Sequence, residues 1–410
     1  MASILDKFKK NKKDDEDIEI DEEEEKEKKV KERKIVYSSS KSKMKTFMFG
    51  AIFIFIILIL ILFLLSIINK KKYTYESVEK EMVSAAKNYF KDNPEQLPQE
   101  DGGIVEIDSS NLVASGKMDD FSSYLKDGNT CAGSVQVEKK NSDYNYTPYL
   151  NCGDNYVTIE LYKKVTDTSN IVTSGYGLYK NEDNYIFRGE DLDNYVELEK
   201  ALWRIVKINN NNEIILVLNE TAGDNTAWDD RYNPNSEYNS GINSYKASRI
   251  KDTLVDIYNN RNEAKDEYDK THILTENDLD KLVTFNLCVG KRKKDDEGYN
   301  IAGECSDLAT NQVIGLLTAS DYMQASIDPN CKTVTSPSCG NYNYLNINKN
   351  WWLATANADS TFEVYYIKNS GMIATANAAN YHSVRPVVRL SSSVLYKEGN
   401  GTLDDPYKIK

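Results

Sequence analysis

Residues 47–68 read FMFGAIFIFIILILILFLLSII, an uninterrupted apolar run without a single charge. A helix of that length extends about 33 Å at 1.5 Å per residue, which matches a hydrocarbon core of roughly 30 Å. A helix buried in a soluble core keeps a polar face, and this run is apolar all round. A cleaved signal peptide has a shorter apolar stretch, about 7–15 residues, followed by a small-residue cleavage site. Here Asn69-Lys70-Lys71-Lys72 follows instead. The run predicts a single transmembrane helix over 47–68, an uncleaved signal anchor in contact with membrane lipid.

Both flanks of the run are basic. Lys41, Lys43 and Lys45 precede it, backed by Lys28, Lys29, Lys31, Arg33 and Lys34, whereas Lys70, Lys71 and Lys72 follow it. The larger basic charge on the N-terminal side favours a cytoplasmic N-terminus. Cysteine placement decides the matter. Cys131, Cys152, Cys288, Cys305, Cys331 and Cys339 all lie beyond the run, even in number, without CxxC spacing and with no histidine close by. That pattern favours disulfides over zinc, and disulfides belong to an oxidising compartment. The expectation is a cell-membrane protein with a cytoplasmic N-terminus and extracellular C-terminal domains. The net charge of −13 falls almost wholly after the apolar run, because the first 46 residues are nearly charge-balanced. An acidic ectodomain repels phosphates, so no nucleic-acid partner is expected.

Residues 1–46 are low-complexity and charged, with too few apolar side chains to bury a core, and read as a disordered cytoplasmic tail. Residues 69–163 predict a helix followed by a small β-rich head. Val78, Met82, Ala85, Ala86, Tyr89 and Phe90 recur at helical spacing, and Pro94 marks the stop. A short helix is expected near Ser109–Ala114, before Gly116. In CAGSVQVEKKNSDYNYTPYLNC, Val135 and Val137 and then Tyr144 and Tyr146 alternate about a Lys-Lys-Asn-Ser turn. This is a hairpin signal, and it sets Cys131 opposite Cys152. Residues 164–174 (KVTDTSNIVTS) read as a polar linker. The rest, 175–410, predicts an α+β domain with short strands and long loops. Its strand-like runs are Trp203–Ile208, Glu213–Leu218, Phe362–Lys368 and Val384–Leu390; helices are expected near Ala247–Tyr258 and Ser320–Ser326.

Residues 45–160 resemble the pilin and pseudopilin pattern, a membrane helix running into an amphipathic helix and a small disulfide-bonded head. The peptidase signature at the helix entry and the glutamate inside the apolar run are absent here. That resemblance implies a pilin-like stalk held in the membrane, with association running through the helix and stalk. The phrases NYVELEKALWRIVKI, IGLLTASDYMQAS, CGNYNYLNINKNWWLATA and SVRPVVRLSSSVLYKEGNGTLDDPYKI resemble a surface domain common in Gram-positive bacteria. That domain is similar to the formylglycine-generating-enzyme and C-type-lectin-like fold group. The resemblance spans most of 175–410 and implies pairing of Cys288 with Cys305 and of Cys331 with Cys339, although four cysteines allow three connectivities. The oxidase chemistry of that fold group uses a cysteine pair near the C-terminal strand, and this chain has no cysteine after Cys339.

No catalytic, metal or cofactor site is predicted. The two histidines, His272 and His382, offer little: His382 adjoins Ser383, but strand neighbours point to opposite faces. Glu190, Asp191 and Asp193 cluster in GEDLDN, and Trp228-Asp229-Asp230 faintly echoes a lectin calcium motif. Neither has the ligand spacing of a calcium loop, and both read as solvated acidic loops. Trp203 and Trp352 are expected in the core, and Trp351 is left open between core packing and sugar stacking. The functional expectation is a non-enzymatic surface module that binds or displays something, a glycan or a protein, through residues not yet assigned. A minor pseudopilin-like component of a pilus or secretion machine is the alternative, and a surface enzyme a third reading.

Overall fold

The computed structural model describes residues 56, 57, 59, 73–199, 201–234, 241–260, 269–299 and 301–410. The fold is mixed α/β with more strand than helix. This corrects the expected architecture, because no helix among the described residues is long and apolar enough to cross a membrane. The 18-residue helix α1 (Tyr75–Asp92) has the length, but Glu76, Glu79, Lys80, Glu81, Lys87 and Lys91 make it amphipathic. An apolar run says which solvent its side chains avoid; a spanning helix also requires the backbone to be shown. The run at 47–68 lies outside the described residues except for Ile56, Ile57 and Ile59, as does the whole tail at 1–46.

Tyr75–Ser122 and Asp127–Lys410 form one compact unit. The few described residues of the other unit include Tyr73, whose amide donates to the Tyr124 carbonyl and whose ring meets the Tyr124 ring edge-on. Within the large unit, α1 lies on a three-stranded antiparallel sheet of β1 (Ile104–Asp108), β2 (Ala132–Lys140) and β3 (Asp143–Asn151), in the order β1-β2-β3. Val78, Met82, Ala85, Ala86 and Phe90 are buried at three- and four-residue spacing, the face expected of an amphipathic helix. A side chain at Gly133 would sit 2.7 Å from the Met82 methyl, so the glycine lets helix and sheet approach. The β2–β3 register pairs Lys140 with Asp143 across a two-residue turn, with Asn141 at a φ of 55°. Ala132 pairs with Asn151, which brings Cys131 beside Cys152, and the two are disulfide-bonded.

Beyond the head come α3 (Leu161–Val165, after the short α2 at Ser109–Ala114), β4 (Gly177–Asn181), β5 (Asn184–Arg188), β6 (Tyr195–Leu198), β7 (Ala201–Ile208), β8 (Ile214–Leu218) and β9 (Ala222–Ala227). Then follow α4 (Arg249–Asn259), β10 (Phe285–Cys288), β11 (Lys291–Arg292), β12 (Leu308–Gln312) and α5 (Ala319–Ala325). The chain finishes with β13 (Trp351–Asn357), β14 (Glu363–Ile367), β15 (Ile373–Asn377), β16 (Tyr381–Val384), β17 (Val387–Leu390), β18 (Tyr396–Glu398) and β19 (Tyr407–Ile409). The larger sheet runs β17-β8-β7-β6-β19-β18, with β5 and then β4 joined through β7. A second runs β15-β14-β13-β16-β9, with β11 on β13, and β10 pairs with β12. Every residue of β8 and β13 is buried, and β8 (IILVL) accordingly is a continuous apolar run without alternation. The segment read as a linker, 164–174, begins with the end of α3, where Leu161 and Val165 are buried in the same core as β7 and β8.

Arg385 sits in that core, fully buried, and interrupts the strand expected over 384–390. Its Nε donates to the Leu218 carbonyl at 2.7 Å, Nη1 to the Leu345 carbonyl at 2.8 Å and Nη2 to the Asn219 carbonyl at 3.3 Å. The guanidinium also lies 5.2 Å from the Trp351 ring. Burial lowers its pKa to about 10. The residue is a spoke that ties three chain segments together through carbonyls that would otherwise be unpaired.

Candidate functional site

All four tryptophans are fully buried, so Trp351, like Trp203 and Trp352, packs in the core. Sugar stacking by a surface tryptophan is therefore ruled out for this chain. In Trp228-Asp229-Asp230 the first two residues are likewise buried, whereas Asp230 is exposed and pairs with Arg249. Asp229 is buried and accepts from Arg231 Nε at 2.7 Å and from the Ile242 amide at 3.0 Å. His272 contacts the Asn260 carbonyl through Nδ1 at 3.1 Å. His382 stacks on Tyr366 with 4.1 Å between centroids, while the neighbouring Ser383 hydroxyl donates to Asn225 at 2.6 Å. Among the described residues one grouping of three potential metal ligands exists, Asp127 with Cys131 and Cys152, and both sulfurs are committed to their disulfide.

The GEDLDN loop is different. It connects β5 to β6 and forms the wall between two cavities, of about 620 Å³ and about 250 Å³, with Asp191, Leu192 and Asp193 lining both. Its start is fixed by Gly189, whose amide donates to the Ala325 carbonyl at 2.8 Å and whose carbonyl accepts from the Tyr344 amide at 2.7 Å. Gly189 has a φ of 109°, and a side chain there would collide with the Tyr176 ring at 2.5 Å, so only glycine fits. The loop's far end is fixed by buried Asn194, whose Nδ2 donates to the Ile205 carbonyl at 2.7 Å. Glu190, Asp191 and Asp193 themselves carry no hydrogen bond or ion pair among the described residues, and Asp191 and Asp193 are exposed.

Arg204 closes the larger cavity from β7. It is 6 % exposed, yet no carboxylate pairs with it. Its Nε donates to Asn194 Oδ1 at 2.6 Å and Nη1 to the Tyr195 hydroxyl at 2.7 Å, which leaves Nη2 without a partner among the described residues. The guanidinium lies 3.8 Å from the Tyr195 ring centroid and 4.9 Å from that of Tyr344. Burial lowers its pKa. Strand alternation explains how Trp203 enters the core while Arg204 faces the cavity.

The opposite wall is the segment 343–348. Asn343 is buried and donates to the Tyr322 carbonyl at 2.9 Å and the Cys339 carbonyl at 2.8 Å, so it fastens this wall to the loop closed by the Cys331–Cys339 disulfide. Asn346 and Asn348 also line the cavity. Next to Asn343, Tyr342 has a φ of 47° and is 48 % exposed; its ring lies 6.3 Å from that of Tyr176, itself 41 % exposed. The Tyr176 pKa is raised by burial and then by the charges of Glu190, Tyr342 and Asp191.

The six cysteines form three disulfides, Cys131–Cys152, Cys288–Cys305 and Cys331–Cys339, and none is free. The acidic loop was visible in the sequence as GEDLDN. Its companions Arg204, Tyr195, Tyr344, Tyr176 and Tyr342 were missed; the only available signal was the tyrosine and asparagine density of NYNYLNIN. No family model, curated protein or solved structure matches this chain. The resemblances to pilins and to the formylglycine-enzyme and C-type-lectin-like group therefore rest on the quoted sequence phrases alone.

Proposed function

We propose that this chain is an extracytoplasmic binding module whose ligand site is the cavity between the loop 189–194 and the segment 343–348. The observation that carries the reading is a concave site of about 620 Å³ whose charged groups make no ion pair among the described residues. Buried or half-buried charges are normally paired, so unpaired ones converging on a cavity support a missing partner. The volume falls in the range of small-molecule sites, and the walls are held by strand ends, a glycine and a disulfide loop. Three disulfides and no free thiol support an oxidising compartment. Binding in place of catalysis is favoured because no serine, cysteine, histidine or lysine lines the cavity; its lining is carboxylate, amide, guanidinium, phenol and two leucines.

The test is a thermal-shift screen of the full-length protein with small polar compounds: saccharides, amino acids, polyamines and nucleotides. Asp193→Phe, at an exposed position on the shared wall, plugs the cavity without touching the core. The expected result is a shift of several degrees with one compound class, abolished in the variant, whose unliganded Tm stays within about 2 °C of the parent. A screen with no shift, or a shift retained in Asp193→Phe, overturns the reading.

A further inference from the structure

The charged groups that line the cavity without an ion pair are of two signs. Arg204 is a nine-tenths-buried cation that lines the cavity, makes no ion pair among the described residues and has no hydrogen bond at Nη2. Arg385 shows the contrast: fully buried, it commits all three nitrogens to carbonyls. A guanidinium with an open edge matches a carboxylate, which it binds in plane through charge-assisted hydrogen bonds. The Tyr195 hydroxyl accepts from Arg204 and keeps its own proton to donate to the same ligand oxygen. Glu190, Asp191 and Asp193 line the same cavity, accept only, and have no donor hydrogen-bonded to them among the described residues. Ammonium groups supply donors and charge together.

An anion alone would meet three carboxylates, and a simple cation would leave Arg204 unpaired. A neutral polyol would leave the excess negative charge unanswered. We propose that the ligand is a basic amino acid or the lysine-bearing end of a peptide, with its carboxylate on Arg204 and its ammonium groups on the 190–193 loop. The proposal rests on the reading of this cavity as the binding site. A ligand with one carboxylate and two ammonium groups answers Arg204 and offsets two of the three carboxylates, and its net positive charge has the sign that the cavity's excess of acid favours.

The experiment is isothermal titration of the full-length protein with four probes: L-lysine, cadaverine, L-norleucine and methyl β-D-glucopyranoside. Cadaverine lacks the carboxylate, norleucine lacks the side-chain amine, and the glycoside lacks both charges. L-lysine is expected to bind at least tenfold more tightly than any other probe. Raising NaCl from 50 to 500 mM should weaken it several-fold, as Coulombic recognition requires. Asp191→Asn should cost L-lysine roughly tenfold while leaving the unliganded Tm unchanged, since Asp191 is exposed and without partners. Cadaverine binding as tightly as L-lysine overturns the carboxylate assignment and with it the proposal. Preference for the glycoside overturns the ligand class while the cavity remains a binding site. Silence of all four probes, together with a silent wider screen, overturns both.

Discussion

At the scale of single residues, His382 shows how packing alters chemistry. Its ring lies parallel to Tyr366 and 4.5 Å from the Trp352 ring, and Nε2 has no partner. Burial with no compensating acceptor lowers its pKa to about 4. In the unfolded chain the value is about 6.5, so between pH 6.5 and 4 the unfolded state binds the proton and the folded state does not. Stability is therefore full above pH 6.5, falls as the pH drops through this window, and has lost the whole contribution below about 4. With a discount for partial exposure the loss is on the order of 1–2 kcal/mol. His382→Phe keeps a ring against Tyr366 and carries no proton. Denaturation curves at pH 7 and pH 4.5 should show a smaller acid-side loss in this variant than in the parent. Parallel losses in the two proteins would refute the assignment. Sequence alone offered only that His382 adjoins Ser383; which ring it stacks on is set by the β14–β13–β16 order, a property of the sheet.

At the scale of elements, what was legible is what repeats. The helical spacing of Val78, Met82, Ala85, Ala86 and Phe90 gave the buried face of α1, and the alternation about Lys140–Asp143 gave the β2–β3 hairpin. That hairpin makes its own prediction. Its disulfide closes a separation of 21 residues, and the double variant Cys131→Ser/Cys152→Ser should lose about 3 kcal/mol by urea denaturation in the chain-entropy model. A loss below about 1 kcal/mol would mean that the ladder and α1 already restrict the unfolded chain there. The walls of the cavity were not legible, for a physical reason. The backbone at Gly189, Asp191, Tyr342 and Asn348 has positive φ, held by contacts to distant segments such as Ala325 and Tyr344 and not by local pattern. Trp351 stayed ambiguous because β13 is buried on both faces, so alternation has no solvent side to reveal. The transmembrane expectation was a hydropathy reading of residues outside the described structure, and no described helix supports it.

At the scale of the whole molecule, the small head and the larger domain are joined by one buried cluster that no local reading of the chain could find. Glu79, on α1, is 4 % exposed. Its carboxylate accepts from Lys410 Nζ at 2.8 and 2.7 Å, from the Tyr156 hydroxyl at 2.9 Å, and from Thr158 Oγ1. Lys410 Nζ also donates to the Tyr156 hydroxyl at 2.6 Å, across 254 residues of sequence. The backbone reinforces this joint: the Leu161 amide donates to the Val394 carbonyl at 2.8 Å and the Tyr396 amide to the Ile159 carbonyl at 2.9 Å. A disulfide-bonded head fastened in this way should not melt by itself, so calorimetry of the oxidised protein should show the head and main domain unfolding in one transition. Lys410→Met leaves Glu79 as a buried charge held only by two hydroxyls, a loss at the lower end of about 3–5 kcal/mol because the lysine is partly exposed. Glu79→Gln/Lys410→Met removes both charges and should recover more than half of that loss, since a neutral amide still accepts from Tyr156 and Thr158. If the double variant is no more stable than Lys410→Met alone, the ion pair is not what holds the head. If the parent protein itself melts in two steps with the first at the head, the joint is not a coupling element at all.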